Sequence, residues 1–434
     1  RSYAIYLWHF PLLALAAEQW GTGRLIEGLS VGVRLGLLAA SVALAALSYA
    51  LVENPVRFAP SLARNPARSL AVGAWVALLS LGAAGLLFHN PSSIETGEEV
   101  ATPVLSTVPL APSTTTPSTA TLETGSTTSS TSSTSTTEAP PVADASKDNP
   151  TELAALLAAN LPVLEAGVAT AKVPSNLSPS LGSARDDLPH AYSNGCILDV
   201  GDPTPNTGCL YGDPGGTRTV VLFGDSHAAQ WLPALHKVAS ERGWRLIVHT
   251  KKACPTAEIP TEKDPNRTDC VPWREAVIGI IGELHPDLVI MSAYRYKQVG
   301  SAAGRDPDTV WSEGIELTVS KVRPLTDHLV LLGDSATPLD DVPSCVAGNS
   351  SNVAACMNSR ANAVRPGRLA VERAVAELHD ADFIPTSDWM CTDTACPVVV
   401  GNVLMYRDNS HITATASLLL APYLDAALVA ILTR

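Results

Sequence analysis

Short apolar runs alternate with amphipathic stretches from about residue 185 to the end of the chain, and this alternation constrains the fold most. Five runs have the residue types and lengths of β-strands: RTVVLF (218–223), RLIVHT (245–250), DLVIMSA (287–293), HLVLLG (328–333) and ADFIPT (381–386). Helical stretches lie between them at about 227–242, 271–285, 308–322 and 365–379, and a last helix closes the chain. Because nearly continuous apolar strands need helices on both faces, residues 185–434 are predicted to form an α/β domain with a five-stranded parallel sheet.

Three apolar stretches fill roughly the first ninety residues, at 2–17, 35–52 and 69–89. The second and third are long enough, or nearly so, to cross about 30 Å of hydrocarbon as helices. Buried core helices of a soluble domain are the alternative, but these stretches have almost no polar face. The loop between them carries three arginines within 57–68. Because arginine-rich loops tend to stay in the cytoplasm, we expect everything after His89 to lie outside it.

Composition agrees with a chain that is part membrane helix and part soluble domain. Charged residues make up only 16% of the chain and apolar residues 46%. The chain opens on Arg1 and turns apolar at once, so we expect it to be the tail of a longer polypeptide. The formal net charge of −13 gives no reason to expect a nucleic-acid partner.

A low-complexity segment rich in Ser, Thr and Pro covers about 100–146. It has too few large apolar residues to offset the entropy of ordering, so we expect a disordered, extended stalk whose composition is typical of O-glycosylation. The sequence therefore predicts three parts: membrane helices (1–89), a stalk and linker (90–184) and an α/β domain (185–434).

All eight cysteines lie beyond this segment. An even number confined to the part expected outside the cytoplasm predicts disulfides. A zinc site is the alternative, but the chain has no Cys-x2-Cys pair. We predict that sequence neighbours pair, each bond closing one local loop: Cys196–Cys209, Cys254–Cys270, Cys345–Cys356 and Cys391–Cys396.

Ser226 follows the first predicted strand in VVLFGDSHAAQW, where the carboxyl ends of parallel strands form a crevice. Gly-Asp-Ser is also ordinary turn chemistry, so a nucleophile needs a base and an orienting acid elsewhere. His411 in YRDNSHIT is the best-placed histidine, with Asp408 three residues before it. The alternative for this motif is a capped helix start, with Asp408 or Ser410 as the N-cap.

These residues resemble a known family. GDSH after the first strand and DNSH before the last helix look like the first and last blocks of the SGNH (GDSL-like) hydrolases. SYAIYLWHFPLL and SYALVENPVRF are similar to the last helices of acyltransferase-3 membrane proteins. The combination resembles acyltransferase-3 proteins with a fused extracytoplasmic SGNH domain, which O-acylate cell-envelope glycans.

The resemblance implies a flavodoxin-like, three-layer domain in which Ser226 is the nucleophile, His411 the general base and Asp408 its orienting acid. It also implies a multi-pass cell-membrane protein that moves an acyl group, such as acetyl, to or from an envelope carbohydrate. No cofactor is expected in this chain, because an acyl-CoA type of donor would belong to earlier membrane helices. The alternative function is a non-catalytic module that positions glycan for those helices.

The chain departs from the SGNH pattern at the oxyanion hole. The family has a glycine after the second strand and an asparagine after the third, whereas this chain has KKACP and SAYRY. We nominate Arg295 as the substitute donor. The wider set of candidate substrate or oxyanion residues is Gly224, Asp225, His227, Ala253 and Arg295. A second Gly-Asp-Ser, at 333–335, has no histidine after it and is interpreted as a loop.

Overall fold

The structure is a computed structural model that describes residues 31–59, 96–105, 152–259, 268–295 and 304–434, with positions 67, 68, 70–72, 74, 75, 78 and 79. The apolar stretch 2–17 and most of 69–89 lie outside the described residues. Within the first described range, helix α1 (Val31–Ser48) continues through a π-helical turn (Tyr49–Glu53) into the short α2 (Asn54–Arg57). None of the helices in the described ranges has the length and apolarity needed to cross a membrane.

The centre of the molecule is a seven-stranded sheet with the order β1-β4-β3-β5-β6-β8, in which β2 also pairs with β4. Its strands are β1 (Ile197–Leu198), β2 (Leu210–Gly212), β3 (Arg218–Gly224), β4 (Trp244–Lys251), β5 (Leu288–Ser292), β6 (His328–Leu332) and β8 (Asp382–Ile384). The five predicted strands correspond to β3, β4, β5, β6 and β8, and they are parallel to one another. The α/β prediction is thus confirmed, with two short strands added beside β4: β1 parallel and β2 antiparallel to it.

Helices cover both faces of the sheet, as the apolar strands require. Alternate residues of β3 point to opposite sides: Val220 and Leu222 join one core, Val221 and Phe223 the other. The first core is covered by α3 (Glu152–Val168), α5 (Leu232–Arg242), α11 (Ala414–Leu419) and α12 (Ala421–Leu432). The second is covered by α6 (Cys270–Leu284), α7 (Pro307–Val322) and α10 (Pro366–Leu378).

The remaining elements are short. They are the helices α4 (Ser226–Ala229), α8 (Val342–Gly348) and α9 (Arg360–Val364), the 3₁₀ turns Ala184–Asp186, His190–Tyr192, Arg323–Leu325, Val353–Cys356 and Thr386–Trp389, and the strands β7 (Asn358–Ser359), β9 (Ala395–Cys396), β10 (Val399–Val400) and β11 (Val403–Leu404). β7 pairs with β9, and β10 with β11, as two small antiparallel sheets.

The domain begins earlier than predicted, because both flanks of the Ser/Thr-rich segment pack on it. In α3, Leu156 and Leu164 are buried in the first core, so residues 152–184 are part of the domain. Residues 96–105 also dock there: Gly97 N donates to Val173 O, and the Asn176 side chain exchanges two hydrogen bonds with the Val100 backbone. The predicted boundary at residue 185 is therefore too late.

Four disulfides join all eight cysteines in the predicted pairs, Cys196–Cys209, Cys254–Cys270, Cys345–Cys356 and Cys391–Cys396. Each closes a local loop, with sequence separations of 13, 16, 11 and 5 residues. In the chain-entropy account, a loop of about 15 residues contributes roughly 3 kcal/mol. The bridges thus reinforce the loops around the sheet.

Candidate active site

Gly224 allows the end of β3 to lie directly against β5. A Cβ at this position would sit 1.9 Å from the Ser292 carbonyl oxygen and 2.7 Å from the Ala228 side chain, so any other residue would force the strands apart. The chain then turns, and Ser226 is the first residue of α4 at the carboxyl end of the sheet. Gly224, a candidate substrate or oxyanion residue, therefore acts through packing.

The Asp225 carboxylate holds the turn between β3 and α4 in place. Its Oδ1 accepts from His227 N at 2.8 Å as the N-cap of α4, and its Oδ2 accepts from Tyr294 N at 3.0 Å. Burial raises the pKa of this carboxyl to about 6, although the two N–H groups favour its charged form. The nomination of Asp225 as a substrate or oxyanion residue is wrong, because its carboxylate is fully buried and ties the Ser226 turn to the end of β5.

The structure brings Ser226, His411 and Asp408 into one hydrogen-bonded chain. Ser226 Oγ lies 2.9 Å from His411 Nε2, and His411 Nδ1 lies 2.8 Å from Asp408 Oδ2. The other oxygen of Asp408 accepts from the backbone N–H groups of Ser410 and His411, so the carboxylate also shapes the turn between them. With Nδ1–H held by Asp408, Nε2 is the acceptor that faces the serine hydroxyl. This is the geometry of a nucleophile, a general base and an orienting acid.

Electrostatics suit these roles. Burial lowers the pKa of His411 to about 4, and the nearby charge of His227 acts in the same direction. Burial alone would raise the pKa of Asp408, but its hydrogen bonds and charge interaction with His411 hold that pKa well below its usual range. At neutral pH the imidazole is therefore an unprotonated base beside a carboxylate anion.

Gln230 holds the loop of the base against the helix of the nucleophile. Its Oε1 accepts from Ile412 N at 3.0 Å, and its Nε2 donates to Ser335 Oγ at 3.2 Å. The residue is 1% exposed, so both bonds are shielded from water. Gln230 is thus a positioning residue. It lies four residues after Ser226, and nothing in the sequence pattern indicated this role.

A second buried pair lies beside the first. His227 Nδ1 is 2.6 Å from Asp334 Oδ1, and both side chains are almost completely buried. The His227 ring centroid lies 4.5 Å from that of His411 and 4.5 Å from that of Tyr294. Residues 333–335 form a loop, as predicted, but this loop carries the carboxylate that pairs with His227. Asp334 directly follows β6, at the same edge of the sheet as Ser226, and that position was the signal that could have identified it.

Arg295 is not free to serve as the oxyanion donor. Its Nε and its backbone N–H both approach Asp334 Oδ2, and its two terminal nitrogens donate to the carbonyl oxygens of Ser335, Ala363 and Val364. The side chain is 1% exposed. Arg295 instead holds the Asp334 carboxylate in place through its backbone N–H and Nε. The prediction that Arg295 is the oxyanion donor is therefore wrong.

The family has its asparagine donor after the third predicted strand, which is β5 in this structure. Here the backbone N–H groups of Tyr294 and Arg295, just after β5, donate to the carboxylates of Asp225 and Asp334. After β4, Ala253 adopts a left-handed conformation with φ of 52°, which is uncommon for a residue other than glycine. Ser226 N–H begins a helix and so has no intrahelical partner. Ser226 N–H and the turn at Ala253 remain the backbone candidates.

A cationic group borders the triad on the β1 side. Arg407 Nη1 lies 3.4 Å from Asp408 Oδ2, and its Nη2 donates to Tyr192 Oη. The Tyr192 ring lies between Arg407 and Lys252, at 5.3 and 5.6 Å from their charged groups. These residues add positive charge beside the carboxylate end of the triad.

Within the described ranges, one cluster has metal-ligand side chains: Cys254, Asp269 and Cys270. The two sulfurs are bonded to each other, and Asp269 pairs with the buried Lys251 at 2.9 Å. The donor set therefore does not fit a metal ion while the disulfide is intact.

Comparison with known families decides the identity. The family model described as "SGNH domain (fused to AT3 domains)" matches residues 195–426, just over half of the chain. The chain belongs to this family. The resemblance seen in GDSH and DNSH is confirmed, and the SGNH family places the chain among acyltransferases and carboxylic ester hydrolases.

Solved structures similar to the SGNH chain include the periplasmic domain of a lipopolysaccharide acetyltransferase from Salmonella ser. Paratyphi A (14% identity, 66% of this chain and 98% of that chain, TM-score 0.42). Axe2, an acetylxylan esterase from Geobacillus stearothermophilus, matches at 15% identity over 49% of this chain and 96% of that chain, with a TM-score of 0.28. The comparison with curated proteins found no match.

Proposed function

We propose that this SGNH domain transfers an acyl group, such as acetyl, to or from a cell-envelope glycan through an acyl-enzyme on Ser226. The hydrogen-bonded chain from Ser226 through His411 to Asp408 carries the proposal, because it activates a serine hydroxyl that is otherwise a poor nucleophile.

The reaction has two balanced halves. In the first, Ser226 Oγ attacks the carbonyl carbon of the acyl donor while its proton passes to His411 Nε2. The tetrahedral intermediate then collapses, the bond to the leaving group breaks, and His411 returns the proton to that group. In the second half, His411 removes a proton from the acceptor, a sugar hydroxyl or water, which attacks the acyl-serine and releases Ser226. Transfer and hydrolysis differ only in the acceptor.

Asp408 keeps His411 productive in both halves. It holds Nδ1–H, which leaves Nε2 toward the serine, and it stabilises the imidazolium that forms after each proton transfer. Arg407, near the same carboxylate, favours its charged form. Asp408 thus remains an anion throughout.

The disulfides and the family support the location and the substrate class that we propose. Four disulfides are typical of a domain that folds outside the reducing cytoplasm. The fusion of this family to AT3 domains supports a membrane protein whose SGNH domain is extracytoplasmic. An acyl group exported by membrane helices of that type would reach Ser226 on the outer side, where envelope carbohydrate is the acceptor.

A second candidate function is a non-catalytic glycan-positioning module. The observation in its favour is the missing pair of donors: no glycine follows β4, and the N–H groups after β5 serve internal carboxylates. The intact triad argues against it, since a decayed enzyme has no need of an aligned Ser226 and His411.

Activity of the whole chain on acetylated envelope glycan separates the two candidates. We expect acetate release or transfer by the wild type, loss of at least about 10³-fold in Ser226→Ala, and full activity in the control Ser320→Ala, which changes an exposed serine of α7. Equal activity in wild type and Ser226→Ala would refute the catalytic proposal.

A further inference from the structure

The developing oxyanion of this reaction lacks its usual side-chain donor. Two N–H groups just after β5 are already bonded: Tyr294 N donates to Asp225 and Arg295 N donates to Asp334. The Arg295 guanidinium is held by Asp334 and by three backbone carbonyls. Loss of one such donor costs about 10²–10³ in kcat. A further hydrogen-bond donor near Ser226 would offset that loss.

His227 has the position and the partner for this role. It directly follows Ser226 in α4, and its ring packs 4.5 Å from the ring of the base, His411. Asp334 occupies Nδ1 at 2.6 Å, and among the residues that the structure describes Nε2 has no hydrogen-bond partner. Nε2 is therefore the ring nitrogen left for a substrate atom.

We propose that His227, held as an imidazolium by Asp334, is a further catalytic residue that stabilises the tetrahedral oxyanion through Nε2–H. This inference rests on the proposed function, because it concerns the same acyl transfer at Ser226. The carboxylate fixes the proton on Nδ1, so the second proton of the imidazolium lies on Nε2, the nitrogen left for substrate.

The charges around His227 favour the protonated ring. Three carboxylates act on it: Asp334 by direct contact, and Asp225 and Asp408 at longer range. Burial by itself would lower the pKa of His227, but these three anions outweigh it and raise the pKa above the ordinary value.

The opposing cations are the neighbouring His411, which is neutral when it acts as a base, and Arg295, which lies behind Asp334. The Tyr294 ring also packs against His227, with 4.5 Å between the ring centroids. Asp334 is thus shared by two cations, His227 and Arg295.

The protonation state of His227 distinguishes this role from the alternative, in which His227 binds the acceptor hydroxyl. A neutral His227 with its proton on Nδ1 would present an accepting Nε2, which would bind an acceptor hydroxyl instead of an oxyanion. The two forms differ in their nitrogen NMR signals, because both nitrogens of an imidazolium carry protons.

The first test is ¹⁵N NMR of the wild-type chain with labelled histidine, with the His227 signal assigned by its loss in His227→Gln. We expect two protonated ring nitrogens at pH 7. A neutral ring with an unprotonated Nε2 at that pH would overturn the proposal.

The second test is kinetic. We expect His227→Gln to lose about 10²–10³ in kcat with little change in KM. We also expect wild-type activity to decline at alkaline pH as His227 deprotonates, and this decline to be absent in His227→Gln. His236→Gln, at an exposed histidine of α5, is the matched control and should keep wild-type kinetics. Retention of wild-type kcat in His227→Gln, while Ser226→Ala is inactive, would sink this inference alone. Full activity in Ser226→Ala would sink the proposed function itself.

Discussion

The low pKa of His411 predicts an enzyme that keeps its activity in mild acid. Burial, reinforced by the charge of His227, lowers this pKa from 6.5 to about 4. The general base must be neutral, so activity is lost as pH falls through the pKa of the folded protein. At pH 5.5 a histidine of pKa 6.5 is only about 9% neutral, whereas one of pKa about 4 is about 97% neutral. The structure therefore predicts about tenfold more activity at pH 5.5 than an unperturbed histidine allows.

The assay is kcat/KM of the whole chain on an acylated substrate between pH 3.5 and 8, since this ratio reports the ionisation of the free enzyme. Circular dichroism at each pH, with return to pH 7 after exposure, separates titration from unfolding. A midpoint near 4 is expected for the acid limb. A midpoint near 6.5 in folded protein would refute the account of the buried base.

Three further predictions follow from other parts of the molecule. His249 is buried, and neither of its ring nitrogens has a hydrogen-bond partner among the described residues. Burial lowers its pKa to about 4, so the folded state loses up to about 3 kcal/mol of stability as pH falls from 6.5 toward 4. In urea unfolding, His249→Leu should show a smaller drop in unfolding free energy between pH 7 and pH 5 than the wild type. A drop equal to that of the wild type would contradict this prediction. Gln230→Leu strands the buried N–H of Ile412, and we expect a loss of about 1–3 kcal/mol in unfolding free energy together with a lower kcat. Cleavage at a protease site inserted within 106–151 should leave the two fragments associated on a sizing column, because 96–105 docks on the domain; separation without denaturant would disprove the docking.

Sequence reasoning recovered the features that repeat locally. The central strands were predictable because each is a short, continuous apolar run between helical stretches, as in VVLFG at 220–224. Ser226, Asp408 and His411 were placed as one candidate site because carboxyl ends of parallel strands share an edge and the acid and base are three residues apart. Both inferences need only local pattern and one rule of topology.

Features that depend on distant contacts were missed. β1 and β2 have two and three residues, too few to show a period, and they exist because β4 offers an edge to pair with. The docking of 96–105 joins residues that are 76 positions apart, such as Val100 and Asn176. Asp334 meets His227 across 107 residues, and the same contact network takes Arg295 away from the oxyanion role. A sequence motif does not show which hydrogen-bond donors are already bonded to residues far away in the chain.

Covalent labelling tests most directly whether Ser226 is an activated nucleophile. A fluorophosphonate forms a phosphonyl ester on an activated serine with loss of fluoride. Trypsin releases that serine in the peptide 219–237, which contains no other serine. We predict one label per chain by intact mass, located in this peptide, and none in Ser226→Ala or after heat denaturation. An unlabelled peptide 219–237 from folded, disulfide-intact protein would contradict the account.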